Sequence, residues 1–245
     1  MKPTLWLIGD STVNLGQQHG KGWGELIDEH FDLGRLHVDN RAIGARSSRT
    51  FRSEGRWAEV LELARPGDYV IIQFGHNDRN KPDDPDRPRG TLRTAGDEFV
   101  DIIHPQTGAP ERVYSFGWYM RAYVTEALSA GLIPIVCSPV PLAPRPGEPL
   151  DEVLGVFAEI TGIVAEQEGV AFIDLHGMIT ERYIGLERAQ PRVVKQRYFV
   201  KIEDDYTHTN DAGAAFNAGY VVRGIRELTD AQPAARLKGY LRSAN

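Results

Sequence analysis

Five short apolar runs recur along the chain, and longer segments with a helical pattern separate them. The runs cover residues 4–10, 36–43, 68–75, 132–139 and 170–176. Their almost continuous apolar character is typical of strands that are buried on both faces of a parallel sheet. Helices are predicted over residues 22–31, 54–64, 115–131 and 151–169, and a last one from about Asp211. This alternation predicts an α/β fold, a three-layer α/β/α sandwich with a five-stranded parallel sheet, in one domain over residues 1–245.

Two stretches interrupt this alternation. Residues 79–112 follow the third predicted strand and are charged and rich in proline and glycine. A connection of this length is either disordered or a functional lid. The second stretch covers residues 185–219, and its polar middle leads into the last predicted helix. The side chains that select a substrate are expected in residues 79–112 and 185–203.

Composition narrows the range of partners. The 245-residue chain carries a net charge of −6, so no nucleic-acid or anionic membrane surface is predicted. Cys137, the single cysteine, lies in an apolar run and is expected to be a buried thiol without a disulfide partner. No run approaches the roughly 18 to 20 apolar residues of a membrane span. Because the first strand begins by Thr4, the chain as given is predicted to be cytoplasmic, or periplasmic or secreted if a leader was removed; its oligomeric state stays open.

Polar groups follow three of the predicted strands. Ser11 comes directly after the first strand, Gly44 and Ala45 follow the second, and Asn77 follows the third. Because ligands of open α/β sheets bind at the carboxyl ends of the strands, a hydroxyl, backbone N–H groups and an amide are expected in one crevice. Taken alone, Ser11 fits the N-cap of a helix as well as it fits a nucleophile.

His208 is the candidate base for Ser11. Asp205 stands three residues before it, and in a turn that carboxylate can hold the imidazole tautomer while the other ring nitrogen takes the serine proton. Asp204 and Asp211 are nearby, but the region lacks the spaced histidines and carboxylates of a hydrolytic metal site. Neither a metal nor another cofactor is therefore predicted.

Together these motifs resemble the SGNH, or GDSL, hydrolase superfamily, whose fold is flavodoxin-like. The matching blocks are Gly-Asp-Ser at 9–11, the turn at 44–45, Gly-His-Asn-Asp at 75–78 and Asp-x-x-His at 205–208, in the order of the family. Longer stretches, among them GARSSRTF, PGDYVIIQFGHND and THTNDAGA, look like the rhamnogalacturonan acetylesterase family. The resemblance implies a metal-independent serine esterase that removes acetyl groups from a pectic polysaccharide or its fragments.

The same resemblance implies roles for single residues. Ser11 is the expected nucleophile, His208 the base and then the acid, and Asp205 the partner that orients the imidazole. Arg46, next to the second block, is a candidate for a bidentate bond to a uronate carboxylate, and a surface salt bridge is its alternative. His76 is a further candidate for substrate binding, and hydrogen bonding behind the catalytic groups is its alternative.

The oxyanion hole implied by the resemblance consists of three donors. They are the Ser11 N–H, the Asn77 side-chain amide and a backbone N–H of the second block. The glycine of the family in that block aligns with Ala45, so Ala45 is the expected donor and Gly44 is the alternative. If the geometry there requires a positive φ, the alanine is strained by about 1 kcal/mol.

Four functions are compatible with these residues. The main prediction is deacetylation of pectic carbohydrate through an acetyl-serine intermediate, with an acetylated oligo- or polysaccharide as the partner. An acetylxylan or other carbohydrate esterase would use the same triad. A nucleotide or flavin binder would use the first turn for phosphate but would leave Asp205, His208 and Asn77 without a role. A non-catalytic carbohydrate-binding relative would not require a complete triad.

Overall fold

The structure is a computed structural model that describes residues 2–16, 20–145 and 152–243. In chain order its strands are β1 (Thr4–Gly9), β2 (His37–Asn40), β3 (Tyr69–Gln73), β4 (Phe99–Ile103), β5 (Pro110–Tyr114), β6 (Ile133–Cys137) and β7 (Ala171–Ile173). Its α-helices are α1 (Ser48–Ser53), α2 (Arg56–Leu63), α3 (Phe116–Ser129), α4 (Glu152–Gln167), α5 (Leu175–Ala189), α6 (Val193–Tyr198) and α7 (Asp211–Glu227). Residue 151, the first of the predicted helix over 151–169, lies outside the described residues.

The five predicted strands form one sheet in the order β2-β1-β3-β6-β7, and each neighbouring pair is parallel. The predicted fold class is therefore confirmed. The chain moves outward from β1 to β2 and then returns to β3 on the other side of β1. This reversal of direction creates a crevice at the carboxyl end of β1, where ligands of such sheets bind.

The strands β1, β3, β6 and β7 are largely apolar because helices cover both faces of the sheet, whereas the edge strand β2 is mostly polar and only partly buried. Leu5 and Leu7 of β1 pack in a core with residues of α5 and α7, whereas Trp6 and Ile8 pack on the other face with residues of α3 and α4. Cys137 at the end of β6 is fully buried, and burial raises the pKa of its thiol. In the part of the chain that the structure describes, no helix is long and apolar enough to cross a membrane.

The predicted helix over residues 22–31 is instead a pair of short 3-10 turns, Trp23–Glu25 and Ile27–His30. The N–H groups of Trp23 and Gly24 donate to Thr12 O and Val13 O, each over 2.9 Å. These bonds tie the segment to the loop after β1. Tertiary hydrogen bonds therefore replace the ladder of a longer helix, and the prediction of a helix here was wrong.

Residues 79–112 are not a plain connection. They include β4 and the first residues of β5, which pair as an antiparallel hairpin from Phe99↔Tyr114 to Ile103↔Pro110. The hairpin lies outside the main sheet and is largely exposed. The stretch before it, residues 79–92, returns to the carboxyl edge of the sheet, where Thr91 N donates to Asp78 O over 3.1 Å.

Candidate active site

Ser11 stands in a tight turn at the end of β1. The Asp10 carboxylate oxygen Oδ1 accepts from Thr12 N over 2.9 Å and from Thr12 Oγ over 2.7 Å, which fixes the turn around Ser11. A Cβ on Gly9 would lie 2.6 Å from Gln73 O and 2.6 Å from Val13 Cγ2, so only glycine fits between β3 and the turn after β1. The sequence Gly-Asp-Ser thus places the hydroxyl at the crevice.

The structure brings the three predicted triad residues together. Ser11 Oγ lies 3.0 Å from His208 Nε2, and His208 Nδ1 lies 2.7 Å from Asp205 Oδ2. The other carboxylate oxygen, Asp205 Oδ1, accepts from Thr207 N and His208 N, each over 2.9 Å. Because that oxygen is held by two backbone donors, Oδ2 stays aimed at the imidazole. This is the geometry of a nucleophile, a base and a group that orients the base.

The Asp205 carboxylate is kept ionised by its local hydrogen bonds. Partial burial raises its pKa, but the bonds from His208 and Thr207 outweigh burial, and the net pKa lies below the usual value. A charged carboxylate favours the Nδ1–H tautomer of His208 and stabilises the imidazolium once that residue accepts a proton. His208 Nε2 is then free to accept the proton of Ser11.

Lys195 on α6 holds the loop that carries this carboxylate, and sequence analysis did not identify it. Its ammonium donates to Val200 O over 2.9 Å, to Ile202 O over 3.0 Å and to Asp205 O. Each of the three N–H groups thus has a backbone acceptor. In the sequence Lys195 is only one lysine in residues 185–203, a segment predicted to select substrate. Its contacts with the Asp205 loop could therefore be found only from the structure.

The second-block turn has the backbone conformation that the aligned glycine suggests. Ala45 has a φ of 68°, in the left-handed region, where an alanine costs about 1 kcal/mol or more. Gly44 lies beside the nucleophile, since a Cβ on Gly44 would stand 3.6 Å from Ser11 Cβ. Ala45 therefore has a strained backbone conformation in a loop next to Ser11. Its role and that of Gly44 as oxyanion donors stay predictions.

Asn77 lies next to this turn, as predicted. Its side-chain Nδ2 donates to Arg46 O over 2.9 Å. The Arg46 side chain itself is bound locally, to Glu54 over 3.0 Å and to Gly44 O over 3.1 Å. The salt bridge weighed as the alternative for Arg46 is therefore present, while its contact with a uronate stays a prediction.

His76 is buried behind the serine. Both of its ring nitrogens are inaccessible to solvent, and Nδ1 lies 3.5 Å from Asp10 Oδ2, a separation that fits an ion pair but is long for a hydrogen bond. Burial of both nitrogens favours the alternative interpretation over a substrate contact, and the substrate contact of His76 stays a prediction. The alternative position, behind the catalytic groups, is the one observed.

A second buried carboxyl, Asp78, completes this layer. It accepts hydrogen bonds from Ser48 N, from Ser48 Oγ and from Thr91 Oγ. Burial raises its pKa to about 7, although the bonds from Ser48 and Thr91 act in the opposite direction. Burial also raises the pKa of Asp10, but His76 and Thr12 outweigh it, and the net pKa lies below the usual value. The pKa values of two carboxyl groups that lie close to each other are therefore shifted in opposite directions.

No group of three or more potential metal ligands was found among residues 2–16, 20–145 and 152–243. The geometry at Ser11 corresponds to acyl transfer, in which a serine attacks an ester carbonyl and a histidine moves the proton.

Comparison with known proteins supports this chemistry. Residues 7–216 match the family model of the GDSL-like lipase/acylhydrolase family. The rhamnogalacturonan acetylesterase of Emericella nidulans is 28% identical over 222 residues, which cover 91% of this chain and 84% of that protein. The probable rhamnogalacturonan acetylesterase YesY of Bacillus subtilis is 30% identical over 233 residues, covering 91% and 93%. The predicted resemblance is thus confirmed.

Two solved structures support the fold. The protein YxiM of Bacillus subtilis superposes with a TM-score of 0.69 at 23% identity, covering 92% of this chain and 56% of that one. A catalytic mutant of Axe2, an acetylxylan esterase of Geobacillus stearothermophilus, superposes with a TM-score of 0.61 at 18% identity, covering 91% and 95%. The match of the family model over residues 7–216 decides the classification: the chain belongs to the GDSL-like lipase/acylhydrolase family and is an enzyme that hydrolyses ester bonds.

Proposed function

We propose that the enzyme removes O-acetyl groups from a pectic polysaccharide or its oligosaccharides through an acetyl-serine intermediate. The observation that carries the proposal is the continuous line of contacts from Ser11 Oγ to His208 and on to Asp205. The choice of a pectic substrate is supported by relatives named rhamnogalacturonan acetylesterase at 28% and 30% identity over most of both chains.

In the first half of the reaction, Ser11 Oγ attacks the acetyl carbonyl carbon while His208 Nε2 takes the hydroxyl proton. The negative charge on the carbonyl oxygen is stabilised by the N–H groups of Ser11 and Ala45 and by the Asn77 amide. When the tetrahedral intermediate collapses, the bond to the sugar oxygen breaks and His208 returns its proton to that oxygen. The sugar leaves with a free hydroxyl, and the acetyl group stays on Ser11.

In the second half, a water molecule takes the place of the sugar. His208 removes a proton from the water as the oxygen attacks the acetyl-serine carbonyl. The same oxyanion donors stabilise the second tetrahedral intermediate. Its collapse releases acetate and restores the proton of Ser11.

The test is acetate release from acetylated rhamnogalacturonan oligosaccharides and from acetylxylan, with wild type, Ser11→Ala and the control Ser53→Ala. Ser53 is exposed at the end of α1. We expect Ser11→Ala to lose nearly all release on both substrates with an unchanged melting temperature, and Ser53→Ala to match wild type. Higher kcat/KM on the pectic substrate supports the proposal. A preference for acetylxylan overturns the substrate, and near-normal turnover by Ser11→Ala overturns the mechanism.

A further inference from the structure

The segment before the β4–β5 hairpin brings the guanidinium group of Arg89 to the second-block turn at residues 44–45. Arg89 Nη1 lies 2.6 Å from Ala45 O and 3.2 Å from Asn77 Oδ1. One nitrogen atom therefore bridges the second-block turn and the side chain after β3. These are the two elements to which the proposed mechanism assigns the oxyanion donors outside Ser11.

The contact with Asn77 decides which end of its amide faces each neighbour. An arginine offers only donors, so the side-chain atom next to it has to be the oxygen Oδ1. On the opposite side, Arg46 O accepts from Nδ2 over 2.9 Å. A flipped amide would place its NH₂ group against the guanidinium and its oxygen against a carbonyl, leaving both ends unsatisfied. Arg89 and Arg46 O together keep Nδ2, with its second hydrogen, available as a donor.

The contact with Ala45 acts on the strained part of the turn. Ala45 has a φ of 68°, a conformation that an alanine adopts only when its surroundings enforce it. Its carbonyl is fixed by Arg89 Nη1, and so is the peptide that follows. The hydrogen bond therefore opposes relaxation of the turn toward a negative φ, which would rotate the Ala45 N–H.

Arg89 is itself held by a buried neighbour. The side chain of Arg49 on α1 is 2% exposed, and its Nη1 donates to Gly90 O over 3.1 Å and to Pro82 O over 3.2 Å. Its Nε donates to Glu111 of β5 over 2.8 Å, so the charge of Arg49 is paired. The hairpin and α1 thus fix the backbone on both sides of Arg89.

The positive charge of Arg89 has no carboxylate beside it. Among the described residues, no acidic group lies within ion-pair distance of its guanidinium. Partial burial and the nearby cations Arg87 and Arg46 lower its pKa, while the more distant carboxylate of Asp84 acts in the opposite direction. An anion that forms next to Asn77 during the reaction would therefore meet a positive charge that no carboxylate contacts directly.

We propose that Arg89 is a positioning residue of the oxyanion hole, which sets the orientation of the Asn77 amide and the Ala45 turn for the tetrahedral intermediate. The proposal rests on acyl transfer at Ser11. It gives residues 79–92 a catalytic purpose, since they brace the site from outside the sheet. Because the bonds of Arg89 go to the hole, their effect falls on kcat more than on KM.

The experiment is a double-mutant cycle with 4-nitrophenyl acetate as the substrate. It compares wild type, Arg89→Met, Asn77→Ala and the double variant. Arg87→Met is the matched control, because Arg87 lies on the same segment, is exposed and carries the same charge. Melting temperatures check that each variant is folded. Ser11→Ala in parallel shows whether the hydrolysis measured depends on the proposed nucleophile.

In the wild-type background we expect Arg89→Met to lower kcat by about 10- to 100-fold and to change KM by less than about threefold. This loss in kcat is smaller than the loss that follows removal of a whole oxyanion donor. In the Asn77→Ala background the same change should lower kcat at least about threefold less than it does in wild type, because the amide that Arg89 orients is gone and only its effect on the Ala45 turn remains. Arg87→Met should stay within about twofold of wild type.

Equal losses from Arg89→Met in both backgrounds would overturn the positioning of Asn77, and no loss in either would overturn the whole proposal. A loss of equal size in Arg87→Met would also overturn it, since charge alone would then explain the effect. These results are separable from failure of acyl transfer at Ser11, on which the proposal rests and which is signalled by activity in Ser11→Ala.

Discussion

Replacing Asp205 by asparagine is expected to remove most of the activity while leaving the fold intact. In the wild type, Oδ1 accepts from Thr207 N and His208 N, each over 2.9 Å, and Oδ2 faces His208 Nδ1 at 2.7 Å. In Asp205→Asn the oxygen has to remain on the two backbone donors. The new NH₂ group then faces Nδ1 of the imidazole.

This arrangement selects the wrong tautomer. An NH₂ group next to Nδ1 can only donate, so Nδ1 loses its proton and Nε2 carries it. His208 Nε2 then cannot accept the proton of Ser11 Oγ, 3.0 Å away. Flipping the asparagine would restore the tautomer but would set an NH₂ group against two backbone N–H groups. Each donor left unsatisfied costs about 1–3 kcal/mol, so the wrong tautomer prevails.

The expected loss in kcat is about 10⁴-fold, or about 5.5 kcal/mol in activation free energy, the size that the same substitution has in Ser-His-Asp proteases. The assay is hydrolysis of 4-nitrophenyl acetate near pH 7, with melting temperature as the check on folding. Asp204→Asn is the matched control, because Asp204 is adjacent and exposed. If folded Asp205→Asn retains more than about a tenth of the wild-type kcat, the tautomer argument is refuted.

Two predictions concern stability. Burial raises the pKa of Asp78 from 3.8 to about 7. Between these pH values the folded state therefore holds a proton that the unfolded state lacks. The free energy of unfolding of the wild type should fall as pH rises through that range, by an amount on the order of 4 kcal/mol. Asp78→Asn should lose this contribution to the pH dependence of stability. Denaturant unfolding of both proteins at pH 5 and at pH 8 checks it. If the free energy of unfolding changes equally between the two pH values in wild type and variant, the prediction is contradicted. Lys195→Met should lower the free energy of unfolding by about 1–3 kcal/mol and also lower kcat, because three backbone carbonyls lose their donor and the Asp205 loop loosens. Lys201→Met is the control, because Lys201 is exposed. If Lys195→Met has the unfolding free energy and the kcat of the wild type, Lys195 does not hold the Asp205 loop.

Local rules were sufficient for the sheet and for the residues at its edge. The apolar runs predicted all five strands, because strands covered on both faces are largely apolar; the exception is the edge strand β2, whose four residues are mostly polar. The carboxyl ends of parallel strands share one edge, so Ser11, Asn77 and the turn at 44–45 could be placed together from their positions alone. The same rules failed at residues 22–31, where bonds to Thr12 and Val13 made two short turns out of a predicted helix.

The sequence by itself determined the α/β architecture through its periodicity and the pairing of Asp205 with His208 through their short spacing. The grouping of His208 with Ser11 and the expected strain at Ala45 followed from the resemblance to the SGNH hydrolases. Only the tertiary structure decided the partners of the long or buried charged side chains. It pairs Arg46 with Glu54, buries His76 against Asp10 and sets Arg89 on the turn at Ala45. The physical reason is reach: a flexible guanidinium or ammonium can meet many acceptors, and packing between segments distant in sequence selects one.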